Sequence, residues 1–269
     1  MSKKSVLVMT LIVTLIGVFV VAFKFQRAKA SGSIYIRADG NIEGTTKIST
    51  VNNVTYTFTD NINDSIMVER SHIIIDGAGY TLDGLGGWET GVIVECVAYN
   101  VTVQNAKITG FGRGISIISS WNNTISGNNI ANNVNGIFLN TVSNTTFSGN
   151  NIIKNACGIR LENCSNNKFY HNYFVNNTSQ AHVELSGINI WDDGYTSGGN
   201  YWSDYQEKYP DAEEKDGSGI WDTPYVIDEL NQDNYPIVPE LSSFIIMLLF
   251  TITTILTTVI CKRRQNKSR

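Results

Sequence analysis

The sequence predicts an all-β fold, a right-handed, single-stranded parallel β-helix of about six coils of about 22 residues each. Three observations support this prediction: a fixed period of 22 residues, short alternating apolar runs, and asparagine and glycine between the runs. A self-similar period of roughly 20–50 residues is typical of solenoids, in which each coil buries its apolar face against its neighbours. The solenoid is predicted to lie between two flanking transmembrane segments.

Rows of equivalent residues keep this period along the chain. Glycines open three alternating strands at Gly114, Gly136 and Gly158, each 22 residues after the last. Two rows are apolar and predict stacked core residues: Val103, Ile125, Phe147 and Phe169, and Ile108, Ile130, Ile152 and Phe174. Three rows are asparagine: Asn100, Asn122, Asn144 and Asn166; Asn128, Asn150 and Asn172; and Asn133, Asn155 and Asn177.

Each kind of row has a physical role in a solenoid. Burying one inward apolar side chain contributes roughly 1.5–3 kcal/mol. Asparagine tolerates the left-handed backbone of a tight bend, and stacked amides can hydrogen-bond from coil to coil. We expect the three repeat glycines at bends with positive φ. The register is expected to fail at Gln180, where the next glycine would be due.

The period is looser upstream of residue 100. Residues 54–84 predict two earlier coils, in which Ile75 and Tyr80 keep the five-residue offset of Val103 and Ile108. Residues 33–40 alternate in polarity and predict a capping strand. A solenoid needs such a cap because its end strand otherwise exposes unpaired backbone groups.

Both ends of the chain carry an apolar run of the length that crosses a bilayer, about 20 residues. The first follows two lysines and precedes an Ala-Lys-Ala site, so it is either a cleaved export signal or a retained signal anchor. The second precedes a basic tail, which predicts a cytoplasmic end, and it is either retained or removed as a sorting signal. The predicted divisions are 1–30 (signal), 31–60 (N-terminal cap), 61–190 (β-helix), 191–238 (C-terminal cap), 241–261 (anchor) and 262–269 (tail).

Charge separates the exported part from the ends. Ten of the 20 basic residues lie in residues 1–30 and 241–269, and all 24 acidic residues lie between them, which leaves 10 − 24 = −14 for residues 31–240. So acidic a surface repels phosphate backbones and excludes a nucleic-acid partner. The predicted location is the cell membrane, with the β-helix on the extracytoplasmic side and a surface polysaccharide or wall glycan as partner.

The chain contains Gly-Ile-x-Leu coils and the runs DGAGYTLDG (76–84), GGNYWSDY (198–205), DTPYVID (222–228) and DNYP (233–236). These motifs resemble those of the NosD-type β-helix proteins of the pectin-lyase-like superfamily, also described as carbohydrate-binding and sugar-hydrolase (CASH) domains. The resemblance covers most of residues 33–238. It implies the fold more than the chemistry, because this fold hosts lyases, hydrolases, epimerases, adhesins and accessory proteins.

The C-terminal cap holds the candidate ligand-binding residues. Aromatic rings beside Asp and Asn are how proteins often hold sugars, with apolar faces for the ring and polar groups for orientation. The alternative interpretation is that these rings plug the open end of the solenoid, and both can hold together. The candidates are Trp191, Tyr201, Trp202, Tyr205, Trp221 and Tyr225.

Calcium is the only cofactor that the cap suggests. Asp216, Asp222 and Asp228 lie in Asp/Gly-rich loops, although the spacing is not that of an EF-hand and an acidic surface loop is the alternative. Asn53 and Asn63 are the best glycosylation acceptors, since both form Asn-x-Ser/Thr sequons outside the regular asparagine rows.

No catalytic residue is assigned. Glycoside hydrolysis needs two carboxylates roughly 5–10 Å apart, and we expect no acid pair stacked across adjacent coils. The resemblance associates the family by name with copper, yet His72, His171 and His182 fall in no adjacent rows. We therefore expect a cell-surface glycan-binding or structural protein. The alternatives are a polysaccharide-processing enzyme and a copper accessory protein.

Overall fold

The computed structural model describes residues 33–238, which form a parallel β-solenoid of about six turns. The predicted signal segment and C-terminal anchor lie outside these residues. Within residues 33–238, no helix has both the length and the apolar character needed to cross a bilayer. The one described helix, α1 (Tyr205–Lys208), spans a single turn.

Three sheets form the walls of the solenoid, and each regular coil contributes one strand to each sheet. Sheet 1 contains, in spatial order, β2 (Ile42–Glu43), β1 (Ser33–Ile36), β5 (Ser65–Val68), β8 (Thr90–Glu95), β11 (Arg113–Ile118), β14 (Asn135–Asn140), β17 (Cys157–Glu162) and β20 (Ser179–Glu184). Sheet 2 contains β18 (Lys168–Tyr170), β15 (Thr146–Ser148), β12 (Thr124–Ser126), β9 (Val101–Gln104), β6 (Ile73–Asp76), β4 (Thr55–Phe58) and β3 (Ile48–Thr50). Sheet 3 contains β21 (Tyr201–Trp202), β19 (Tyr173–Val175), β16 (Asn151–Ile153), β13 (Asn129–Ala131), β10 (Lys107–Thr109) and β7 (Thr81–Asp83). The short hairpin β22 (Tyr225–Val226) and β23 (Gln232–Asp233) belongs to the C-terminal cap.

The parallel pairing confirms the predicted period of 22. Ile125 pairs with Phe147, and Phe147 pairs with Phe169, so these residues lie on one wall. Their rings stack, since the centroids of Phe147 and Phe169 are 4.7 Å apart with 12° between the planes. Because apolar residues, mostly β-branched or aromatic, fill the inward positions of these strands, each coil buries its apolar face only when the next coil covers it.

The N-terminal end is closed by short antiparallel strands. β1 pairs in parallel with β5 and is the first strand of sheet 1, while β2 pairs antiparallel along its other edge. In the following coil Ile75 pairs with Val103 as predicted. The prediction for Tyr80 is wrong, because Leu82 takes the inward position opposite Ile108. The turn at residues 77–80 lengthens the spacing between the two inward positions from the predicted five residues to seven, from Ile75 to Leu82. It leaves Tyr80 38% exposed.

The asparagine rows divide into two kinds. Asn100, Asn122, Asn144 and Asn166 have φ between +51° and +63°, as the turn chemistry predicts. Other buried residues, all asparagine except Thr145, form three ladders along the solenoid: Asn128, Asn150, Asn172 and Asn200; Asn133, Asn155 and Asn177; and Asn123, Thr145, Asn167, Asn189 and Asn231. The third ladder includes positions that the sequence analysis did not single out.

Asn150 illustrates how a ladder residue is satisfied. Its side-chain nitrogen donates to the Ile125 carbonyl at 2.8 Å and to the Asn172 side-chain oxygen at 2.9 Å. Its own side-chain oxygen accepts from the backbone N–H of Asn128 at 3.1 Å. A buried amide is costly unless it is hydrogen-bonded, so the continuous ladder is what makes these interior polar residues tolerable.

The repeat glycines do not have positive φ, which corrects that prediction. Gly114, Gly136 and Gly158 lie inside β11, β14 and β17, in extended backbone. A Cβ added at Gly136 would lie 2.6 Å from the Gly158 carbonyl oxygen of the next coil. Glycine is therefore required for close approach between coils rather than for backbone conformation.

The register does not fail at Gln180, which corrects a second prediction. β20 continues sheet 1, with Ile159 opposite Ala181 and Leu161 opposite Val183. Gln180 is buried, and it occupies the position where the preceding coils have glycine. The replacement of glycine by Gln180 therefore occurs in the last strand of sheet 1, and the parallel pairing with β17 continues through it.

Candidate functional site

The aromatic residues of the C-terminal cap continue two core stacks of the coils. Trp191 stacks on Phe169 with ring centroids 4.2 Å apart. Trp202 stacks on Phe174 at 4.4 Å, and Tyr225 stacks on the other face of Trp202 at 4.2 Å. Five of the six candidate ligand-binding residues are consequently buried, and Tyr201 alone is half-buried. The cap thus closes the end of the hydrophobic core.

All three amide ladders also end on cap residues. The first passes from Asn200 to the carboxylate of Asp233, and the third ends at Asn231. In the second, Asn177 donates to the Gln180 side chain, which in turn donates to the Ser203 hydroxyl. A ladder would otherwise leave its last amide unpaired, so the cap satisfies the polar interior as well as covering the apolar one.

Asp233 is the ionisable group at the centre of this arrangement. Its carboxylate accepts from the backbone N–H of Asn200 at 2.7 Å and from the indole N–H of Trp202 at 2.9 Å. Burial raises the pKa of the Asp233 carboxyl to about 7, against the lowering effect of these donors. Burial likewise raises the pKa of Tyr205 to about 12, and burial with nearby Asp204 raises the pKa of Tyr225. Both phenols therefore stay protonated at neutral pH.

A cleft of about 260 Å³ opens beside α1 in the cap. Its lining residues are Tyr201, Trp202, Ser203, Tyr205, Gln206, Trp221 and Val238. Four of the six candidates line it, whereas Trp191 and Tyr225 lie in the core stacks behind it. Tyr205 and Trp221 stack on each other with ring centroids 5.0 Å apart, so each covers one face of the other. Tyr201, Ser203 and Gln206 are its more accessible residues.

The three candidate calcium ligands make local contacts in separate turns. Asp216 accepts from the Tyr195 hydroxyl, Asp222 accepts from the Thr223 hydroxyl, and Asp228 accepts from the backbone N–H groups of Leu230 and Asn231. Across residues 33–238, no group of three or more His, Cys, Asp or Glu side chains is placed to hold a metal ion. Calcium binding stays a prediction. So does glycosylation at Asn53 and Asn63, both of which are exposed.

A family comparison identifies the kind of protein to which this β-solenoid belongs. The model of the family described as periplasmic copper-binding protein (NosD) matches residues 12–207, more than half of the chain. The chain belongs to the NosD family. No curated protein and no solved structure matches it. The periplasmic description of the NosD family agrees with the predicted extracytoplasmic position of the β-helix.

The histidine and cysteine side chains of this NosD-family chain make separate local contacts within residues 33–238. Copper favours His, Cys and Met. His72 contacts the Asn100 side chain, and His171 contacts the Ser197 carbonyl, so both imidazoles have other partners. His182 is 3.9 Å from Glu184. Cys164 is buried in the core, whereas Cys96 is exposed.

One acid pair does stack across adjacent coils, which corrects the expectation that none would. Glu162 of β17 lies directly opposite Glu184 of β20 on the outer face of sheet 1. Arg160 bonds to both, at 2.8 Å to Glu162 and 2.9 Å to Glu184. The hydrogen bond from Arg160 lowers the pKa of Glu162. A glycosidase acid needs a raised pKa instead, so this pair has the chemistry of an ion-pair network.

An aromatic pair outside the cap, with Trp121 exposed and Tyr99 half-buried, was not among the predicted site residues. Tyr99 and Trp121 stack with ring centroids 4.8 Å apart, and Trp121 is 47% exposed. The available signal was their spacing of 22 residues, which places them in one row of the solenoid. The row was overlooked because its later members are serines, which break the apolar pattern.

Proposed function

We propose that this NosD-family chain is an extracytoplasmic β-helix that binds a glycan at the cleft in its C-terminal cap. The observation that carries the proposal is the mixed lining of the cleft. The aromatic residues Trp202, Tyr205 and Trp221 line it together with the polar residues Ser203 and Gln206. Sugar sites combine apolar ring contacts with a few placed polar groups in this way.

The size of the cleft supports a small ligand unit. Pockets for drug-sized ligands measure roughly 300–1,000 Å³. A cleft of about 260 Å³ suits one sugar ring, such as the terminal unit of a longer chain. Tyr201 and Gln206 are the proposed contact residues, whereas Trp191 and Tyr225 hold the aromatic wall from behind.

The proposed ligand is uncharged or cationic. The net charge of −14 on residues 31–240 disfavours polyanionic polymers. We further propose that residues 241–261 hold the β-helix at the membrane, where it meets surface or wall glycan. Deleting residues 241–269 should then release the protein from the membrane fraction into the soluble fraction.

Glycan binding is tested with the full chain in mild detergent. Neutral, cationic and uronic-acid oligosaccharides are screened, and affinities are measured for the wild type, Tyr201→Ala and Gln206→Ala. Each substitution should weaken binding about tenfold. Tyr80→Ala serves as the control, because Tyr80 is an exposed tyrosine in an early coil. Absence of binding to every glycan, or equal binding by all variants, would reject the cleft as the site.

The family description makes copper the second candidate ligand. Titration of the full chain with Cu(I) and Cu(II) in competition with a chelator tests it directly. Stoichiometric binding that His182→Ala reduces would favour copper over glycan. Only weak, non-stoichiometric copper binding would favour the glycan proposal, because the described donors do not converge.

A further inference from the structure

The corner between sheet 1 and sheet 2 is uncharged over five successive coils. Its segments, each five residues long, are 96–100, 119–123, 141–145, 163–167 and 185–189, and none contains Asp, Glu, Lys, Arg or His. The charged residues that border these segments in sequence are Glu95, Glu162, Lys168 and Glu184. Of these, Glu162 and Glu184 are paired with Arg160. We call this surface the neutral corner.

One row of the neutral corner changes from aromatic to small residues. Tyr99 and Trp121 stack nearly parallel, with 10° between the ring planes, and the edge of His72 packs on Tyr99 at 5.1 Å. Backbone bridges then link Trp121 to Ser143 and Ser143 to Ser165. Gly187 follows 22 residues later. The aromatic stack therefore ends at Trp121, and three small residues continue its row.

This change of size leaves one face of Trp121 uncovered. Tyr99 covers the face toward the earlier coil, and among the described residues Trp121 stacks on no other ring. On the side of the next coil the row holds Ser143, whose side chain is too short to cover an indole. At a strand spacing of about 4.8 Å, the three small positions give a groove of roughly 14 Å beyond Trp121.

Polar groups with unused hydrogen-bonding capacity line the groove. Asn122, Asn144 and Asn166 are exposed at the adjacent turns, and Ser143 and Ser165 are half-buried beside them. Within residues 33–238 none of these five side chains has a hydrogen-bond partner. An open indole face next to amides and hydroxyls matches a pyranose ring, whose C–H face is apolar and whose rim is hydroxylated. Phosphate or carboxylate ligands would need cationic partners, which the neutral corner lacks.

We propose that the neutral corner binds an uncharged pyranose chain, with one sugar ring stacked on Trp121 and the following rings along the serine row. The proposal shares its ligand class with the proposed function, but it concerns a separate surface in a different part of the solenoid. Trp121 supplies the stacking face. Ser143, Ser165 and Asn144 supply hydrogen bonds to the hydroxyl groups.

The test uses the full chain in mild detergent with soluble neutral β- and α-glucan, mannan and galactan fragments, and with oligouronates as the charged comparison. Trp121→Ala removes the platform. Ser143→Phe fills the groove with a ring that can stack on Trp121, in the way Phe169 stacks on Phe147, and so blocks the site while the fold stays intact. Trp88→Ala is the matched control, because Trp88 is an exposed tryptophan (79%) elsewhere on the surface.

We expect Trp121→Ala and Ser143→Phe each to weaken neutral-glycan binding about tenfold, with Trp88→Ala unchanged and oligouronates unbound. Thermal melting of each variant shows whether the fold is retained, and Ser143→Phe gives the decisive result if Trp121→Ala is unstable. Neutral-glycan binding whose affinity and stoichiometry are unchanged by both substitutions overturns the proposal, as does failure to bind any neutral glycan, which would reject the cap cleft as well. Loss of binding in Tyr201→Ala alone would support the cap cleft and reject the neutral corner, and loss in Trp121→Ala and Ser143→Phe alone would do the reverse.

Discussion

The regular coils (residues 101–184) and the C-terminal cap (residues 191–238) bury the same kinds of side chain by different routes. In the coils, stacked partners are 22 residues apart, as with Phe147 and Phe169. In the cap, Trp202 comes 28 residues after Phe174, and Tyr225 reaches the same stack from a separate hairpin. The stack of rings is therefore continuous through the interior, although the residues that form it in the cap no longer recur every 22 residues.

This difference teaches that the end of a repeat in sequence need not be the end of a repeat in space. The amide ladders make the same point, since Asn200 and Asp233 follow Asn172 without a fixed spacing. A solenoid end has to satisfy both the apolar stack and the polar ladder. If the cap is coupled to the core as strongly as the coils are to each other, equivalent substitutions in the two regions should destabilise the protein to a similar extent.

The largest effect is expected from removing a core ring in either region. Phe147→Ala in the coils and Trp202→Ala in the cap should each lower the free energy of unfolding by about 3–5 kcal/mol, because both rings are fully buried between stacked neighbours. Urea unfolding of the full chain in detergent measures this. Tyr173→Ala, which truncates a ring that is 39% exposed, should cost much less. A loss in Trp202→Ala no larger than in this control would show that the cap is only loosely attached.

The next largest effect is expected from breaking a ladder. Asn150→Ala removes the acceptor of the Asn128 backbone N–H and one of the acceptors of the Asn128 side-chain nitrogen, and Asn231→Ala does the same to Asn189. Each should cost about 2–4 kcal/mol, because buried donors would lose their partners. The exposed neighbour Asn151→Ala should be nearly neutral in the same unfolding assay. If Asn231→Ala were equally neutral, the cap would not stabilise the end of the third ladder.

Close approach between coils can be tested at the repeat glycines. Gly136→Ala places a Cβ 2.6 Å from the Gly158 carbonyl oxygen and should destabilise the fold by about 1–3 kcal/mol. Gly187→Ala is the comparison near the cap, where the nearest atom, the Ser165 Cβ, lies 3.3 Å away. A smaller loss is expected there. Equal tolerance at both positions would contradict the close-approach explanation.

Asp233 should make the free energy of unfolding depend on pH, and the change over one pH unit should be smaller than the losses expected for the substitutions above. Its pKa of about 7 in the folded protein lies above the ordinary 3.8, so the folded state binds the proton more tightly. Stability should therefore fall as pH rises from about 4 to 7, by at most about 1.4 kcal/mol per pH unit, and level off above 7. Asp233→Asn should remove this dependence between pH 4 and 7. Identical pH profiles for wild type and variant would disprove it.

The regular coils can be predicted from the amino-acid pattern alone. A period of 22 with β-branched and aromatic rows can be satisfied only by stacked turns, so Ile125, Phe147 and Phe169 reveal their common wall without coordinates. The left-handed turns at Asn122 and Asn144 follow from local chemistry in the same way. Trp191 lies 22 residues after Phe169, so its stacking on Phe169 could also be predicted from the period.

The role of the repeat glycines, the burial of Asp233 and the two candidate binding surfaces become visible only when the coils are packed together. The repeat glycines are needed because a neighbouring coil comes close, and no local signal distinguishes that need from positive φ. The placement of Asp233 under Trp202, the cleft beside α1 and the open face of Trp121 all depend on which residue of another coil lies opposite. Once the period ends, chain distance no longer reports spatial distance, because loops of any length can return a residue to the same stack.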